Sequence, residues 1–244
     1  MRADLLDAYA SVDWAFAQLL PFHQRLTAWL EANVVIEVRD VPLPATHNPI
    51  VALEKDLLPI AFSVEAGAYI NVIRSSLDIL AMTLVRRHGL AISENRVYFP
   101  IAESEEEFSN RIGAPLLQRL PAEERAKLLS LRPYRGGNAA LWGLHRLDIV
   151  RKHRRLLDVQ IRPIHLSIAG SLKPGDFEPL HGEPFQAGAE IVLGLLRKGV
   201  PSPAMQSRLY VAIDEPETIQ RRPVLATLIH FAETASSAIK LFDA

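Results

Sequence analysis

Two stretches of this chain set charged and hydrogen-bonding groups on helix patterns that are otherwise apolar. The first is Asn71-Val-Ile-Arg74-Ser-Ser-Leu-Asp78; the second is His145-Arg-Leu-Asp148-Ile-Val-Arg-Lys152. At helical spacing Asn71, Arg74 and Asp78 share one face, and so do His145, Asp148 and Lys152. Each such group, buried without a partner, costs on the order of 1–3 kcal/mol. The chain must therefore press the two stripes together or keep them for chemistry.

Composition narrows the classes of function. The 244 residues are 49% hydrophobic and 23% charged, which suits one folded unit or two closely packed ones. A net charge of −1 gives no global basic field for nucleic acid, although Arg146, Arg151, Lys152, Arg154 and Arg155 form a local basic run. The absence of cysteine excludes disulfides, thiolate metal sites and a cysteine nucleophile. Asp4, Asp7 and Asp13 near the N-terminus do not fit a secretory leader. The most apolar stretch, residues 57–85, contains Glu65, Arg74 and Asp78 and reads as a core helix rather than a membrane span. A cytoplasmic protein with no membrane partner is expected.

Periodicity predicts a helix over residues 4–32 that Pro21 kinks or breaks, with Asn33 as its stop. A β-branched strand over 34–41 follows, then a proline-marked loop over 42–50. A long helix is expected from Ser63 or Glu65, with Ser63 as cap, to Arg86-Arg87-His88 and a terminating Gly89. Ser104 and Glu107 have capping-box spacing for a helix over 104–112. Another short helix spans 121–129, and Arg132 to Gly137 is a turn. Asn138 caps the second striped helix, expected to end near Leu157. Beyond it, alternation at Leu157, Val159 and Ile161, at Ile164, Leu166 and Ile168, and over 189–196 and 208–213 predicts one antiparallel sheet of about four or five strands. The strand at 34–41 is available to its edge, and a helix over 222–242 covers one face. Trp14, Trp29 and Trp142 are expected in or near the core. The fold class is α+β. A mainly helical part (1–157) packs on a small antiparallel sheet with a C-terminal helix (158–244), as one compact unit.

Several of these segments together carry a resemblance. The Asn71–Asp78 helix, Phe99-Pro-Ile101, Pro133-Tyr134 and Leu141-Trp-Gly-Leu-His145-Arg-Leu-Asp148-Ile-Val-Arg-Lys152-His153-Arg154 resemble a large bacterial family. Its members carry an N-L-R-S-A-L-D helix, an F-P-I segment, a Q-P-Y turn and an L-x-x-L-N-N-x-D-K-H-R helix. The resemblance covers about residues 60–157 and implies a fold; the family has no established activity to lend. This chain departs from the pattern at Arg132, where the family has Gln, and at Arg151, where it has an acid.

Two functional readings follow. In the first, Asn71, Arg74, Asp78, His145, Asp148 and Lys152 form one structural network in a binding or interaction protein, with room beside it for a small or anionic ligand. In the alternative, Arg146 and His153 are a catalytic pair. Their R-x6-H spacing resembles the motif of HEPN-like ribonucleases of toxin and defence systems. There the arginine stabilises phosphate charge and the histidine moves or positions a proton, without metal. Leu147 stands where that motif carries a polar residue. RNA would then be the partner, and a homodimer fits either reading. His145, Asp148 and His153 do not converge on one helix face, so no metal site and no cofactor are expected. The other histidines (His23, His47, His88, His165, His181 and His230) have no evident partners.

Overall fold

The computed structural model describes residues 1–169, 172–180, 190–201, 204–215, 219 and 222–243; side chains at 111, 114, 163–169, 204 and 206–208 lie outside the description. The strand expected at Ile164, Leu166 and Ile168 is present in the backbone as part of Val159–Ala169, though which face their side chains take lies outside the description, as do Ala189, His181 and the His165 side chain. The architecture is α+β, with a helical N-terminal region, two small antiparallel sheets and a C-terminal helix.

Helix α1 (Leu6–Asn33) runs unbroken through Pro21 and stops at Asn33. It buries Leu5, Ala8, Val12, Ala15, Leu19, Phe22, Leu26 and Leu30, a stripe at helical spacing that extends one residue ahead of its first turn. Strands β1 (Val34–Val38) and β2 (His47–Glu54) follow as an antiparallel pair. Helix α2 (Ile60–Arg87) packs on α1, where the rings of Phe22, Phe62 and Tyr69 meet edge to face at 5.6–6.0 Å. It begins directly after Pro59, so Ser63 lies inside the first turn and is not the cap. Its C-terminus closes as a Schellman motif: Gly89 has φ 57°, its N–H reaches Arg86 O, and Leu90 N–H reaches Val85 O at 2.9 Å.

The short elements α3 (Glu105–Glu107), a π-turn (Phe108–Ile112), α4 (Ala114–Leu117) and α5 (Ala122–Ser130) lead to α6 (Ala139–His153). Ser104 accepts from Glu107 N–H at 3.1 Å, while the Glu107 carboxylate caps Glu103 N–H. Asn138 caps α6 through Leu141 N–H at 3.1 Å. The helix ends at His153, about one turn short of Leu157, because the chain leaves it there to enter β3.

The remaining elements are β3 (Val159–Ala169), β4 (Phe177–Pro179), β5 (Glu190–Arg197), β6 (Ala204–Ile213), β7 (Arg222–Pro223) and α7 (Val224–Lys240). They form two sheets rather than the expected one: β1-β2-β5-β4 and β3-β6-β7, antiparallel throughout. The hairpin of β1 and β2 recruits β5, so residues 47–50 are strand and not loop. Pro49 is tolerated beside a register shift at Ile50/Val51.

Helix α7 meets α1, α2 and α6 far more than it meets β6 and β7, so it completes the helical layer instead of roofing a sheet. One apolar cluster joins the four long helices to inner residues of both sheets, including Ile50, Ile161, Leu193 and Val211. Among the described residues α2 alone is long and apolar enough by composition to cross a bilayer, and 56% of its most apolar stretch is buried within the fold. The chain ends meet. Arg87 binds Asp4 through two nitrogens (2.7 and 3.1 Å), reaches Glu124 at 3.3 Å and donates to Phe242 O at 3.0 Å, while the N-terminal ammonium lies 3.8 Å from Asp243.

Candidate functional site: the polar seam between α2 and α6

Helices α2 and α6 lie antiparallel with their polar stripes facing. Asn71 Nδ2 donates to Asp148 Oδ1 at 3.1 Å, one turn further on Arg74 Nε reaches His145 Nδ1 at 3.4 Å, and Arg151 crosses Gly67. A Cβ at Gly67 would stand 2.6 Å from Arg151 Cδ, so the glycine makes room for the arginine.

Arg74 is buried, with 4% exposure, and its guanidinium is engaged on three sides. Besides His145 it donates to Asp78 Oδ1 at 2.6 Å and to Phe99 O at 3.0 Å. Asp78 Oδ1 also accepts Phe99 N–H at 2.8 Å. The Arg74–Asp78 pair therefore grips both polar groups of one peptide residue, as a neighbouring strand would. The Phe99 ring is buried. The gripped segment continues to Ala102, which exchanges backbone hydrogen bonds with Pro133 O (3.0 Å) and Arg135 N (3.2 Å). That turn delivers Asn138, the cap of α6. The F-P-I segment and the P-Y turn thus tie the two striped helices together from the side.

Asp148, also 4% exposed, takes Lys152 Nζ on Oδ2 at 2.6 Å, with Arg151 3.7 Å from Oδ1. His145 is pushed down to about 4, first by burial and then by the Arg74 charge; Asp148 opposes the shift, and Arg146 and Lys152 add to it. The ring is neutral at pH 7. Arginine can only donate, so Nδ1 accepts and the ring proton sits on Nε2.

The second candidate pair is arranged differently. Arg146 is held by Glu103 at 3.3 Å, and the same carboxylate accepts Trp142 Nε1–H at 3.2 Å. Arg146 Nε is buried without a hydrogen-bond partner. His153 stands exposed at the last residue of α6. Among the described residues no three His, Asp or Glu side chains gather to hold a metal ion. A cavity of about 150 Å³ lies at the α6–α7 contact, lined by Ala139, Ile219, Thr227 and Phe231 and away from the seam.

Sequence reasoning placed all six seam residues on two faces but missed the groups that complete them. Phe99 supplies only backbone, which carries no residue-type signal. Arg151 stood out only as a departure from the family pattern, and Glu103, the partner of Arg146 and Trp142, was not singled out. His88, read as isolated, lies 3.6 Å from Glu124. Trp142 is buried and Trp29 packs against the core partly buried, whereas Trp14 is half exposed at its edge, its ring 6.3 Å from that of Tyr69. Compared with models of known families, with curated proteins and with solved structures, the chain finds no match.

Proposed function

We propose that this chain is a non-catalytic interaction protein in which the α2–α6 seam is a structural lock and the bare face of α1 is the working surface. The observation that carries the reading is the closure of the seam. The charged ends of Arg74, Asp78, Asp148 and Lys152 are each paired inside it, and His145 is occupied as a neutral acceptor. Groups spent on one another have little left for a substrate or an anionic ligand, and structural ion-pair networks perturb titration as active sites do. Helix α1, by contrast, leaves Leu6, Trp14, Phe16 and Leu20 in solvent on one side. Large apolar side chains left exposed on one side of a helix mark contact sites, and here Asp13 and Gln24 stand among them.

The test is a cleavage assay with a mixed RNA pool, without added metal. The full chain leaves the pool intact. Cleavage by the wild type that vanishes in both Arg146→Ala and His153→Ala would overturn the reading in favour of the HEPN-like ribonuclease.

A further inference from the structure

We infer that the trough between α7 and the first turn of α6 binds a small carboxylic acid with an aromatic or compact aliphatic body; the inference stands apart from the reading of α1. Two hollows make up the trough. The narrower, of about 150 Å³, has Ile219, Pro223, Ala226 and Phe231 on its walls. The wider, of about 420 Å³, opens toward Ser130, Arg132 and Thr234. Ala139, Ala140 and His230 line both, so the two are continuous. Positions 223, 226, 227, 230, 231 and 234 recur at helical spacing, which gives the trough one face of α7. Its frame is fixed on both sides. Thr227 Oγ1 donates to Pro223 O at 2.9 Å, Arg222 N–H donates to Ile219 O at 3.1 Å, and β7 pairs Arg222 with Ile213. Opposite, Arg132 O accepts both Tyr134 N–H and Asn138 N–H at 2.8 Å, which holds Arg132 beside the start of α6. An apolar chamber the size of the narrower hollow takes one benzene-sized group.

The rim selects an anion. Arg25, Arg74, Arg87 and Arg146 are each spent on a carboxylate. Around the trough the arginines are not. The Arg222 side chain has no partner among the described residues, and Arg132 commits only Nε, which donates to Tyr134 Oη at 3.1 Å. The His230 ring is exposed and also without a partner among the described residues. No acidic side chain lines either hollow among those residues. Asn138 caps Leu141 N–H and leaves the amides of Ala139 and Ala140, the first two of α6, without an acceptor among the described residues. Guanidinium, imidazole and amide donors thus border an apolar chamber with no carboxylate to neutralise them. A phosphate would gain the donors and leave the chamber empty; a hydrocarbon would fill the chamber and leave the donors unused. A carboxylate on a ring-sized body satisfies both, and its planar oxygens match the guanidinium fork. The ring lies against Phe231 and Ile219. The carboxylate stands where the hollows join, and there the first turn of α6 adds its partial positive charge.

Benzoate titrated into the full chain and followed by amide NMR is the test. The wild type binds it with a dissociation constant of about 0.1–1 mM, and the Ala139 and Ala140 amide resonances move with saturation. Arg222→Gln weakens binding about tenfold. Ala226→Trp fills the mouth of the chamber and abolishes binding. Both positions are exposed, so each variant melts within about 2 °C of the wild type. Benzyl alcohol, the neutral counterpart, binds about tenfold more weakly, and inorganic phosphate in excess does not displace benzoate. Still resonances at the two alanine amides overturn the inference, as does an affinity unchanged in Arg222→Gln. Benzyl alcohol bound as tightly as benzoate overturns the choice of an anion, and displacement by phosphate overturns the choice of an apolar body. A tripeptide ending in phenylalanine that binds more tightly than benzoate overturns it in favour of a polypeptide C-terminus.

Discussion

Asp78 holds two unlike donors with a single oxygen, the Arg74 guanidinium and the Phe99 amide. Removing it leaves a buried cation with one neutral nitrogen and one carbonyl as partners, and takes the carboxylate acceptor from the Phe99 amide. Asp78→Ala is expected to cost about 2–4 kcal/mol, because the loss is the full desolvation of the stranded groups and not merely the net worth of a pair. For a domain of this size that is a fall of about 5–10 °C in melting temperature, measured by calorimetry. His145 makes a second prediction with a definite sign. Its folded value is about 4 against an ordinary value of 6.5, so between these limits the unfolded chain binds the extra proton. Stability contributed by the neutral ring is complete above about pH 6.5, declines as pH falls toward about 4, and levels off below. The total is at most about 3 kcal/mol. His145→Gln keeps an acceptor for Arg74 and removes the titration, so denaturant midpoints followed across this range should lose that part of their slope.

The α2–α6 contact is decided by a glycine and an arginine as much as by the charged stripes. Gly67→Ala alone drives a methyl into Arg151 Cδ and offsets the helix propensity it gains. In an Arg151→Ala background the clash is absent, and the same substitution should stabilise by up to about 1 kcal/mol, a coupling that a double-mutant cycle in urea would read. Most elements were legible because their ends are written locally: Asn138, Ser104 with Glu107, and Gly89 each act within a few residues of themselves. Strand β2 was not, since Pro49 is a strand breaker by local rules and its pairing with β5 joins residues about 140 positions apart. The division into two sheets was hidden for the same reason, because alternation reveals a strand but not its neighbour. In the seam, helical spacing gave the six side chains; a backbone carbonyl such as that of Phe99 leaves no trace in residue type.

At the scale of the whole molecule, α2 stands at the centre, with α1, α6 and α7 around it; the seam joins α2 to α6 by a buried polar network, whereas α1 and α7 meet α2 mainly through apolar packing, with the Arg25–Glu65 pair at the α1 contact. Pressing apolar helices together leaves their rotation and sliding weakly defined; a row of matched donors and acceptors permits one register only. This arrangement explains why the polar groups sit inside the bundle and the bare apolar strip sits outside on α1. The inner surface needs specificity, and the outer apolar side chains of α1 are exposed in the single chain.

The clasp at Arg87 has a topological consequence. With Asp4 and Phe242 O on one guanidinium, the segments at residues 4 and 242 stand side by side. A linker of a few residues would complete the ring, and fresh termini could be opened in the exposed bend after β1 without cutting any helix. Tags or fused domains attached at either end would project from one corner of the molecule, and the strip on α1 would remain the surface to keep clear of them.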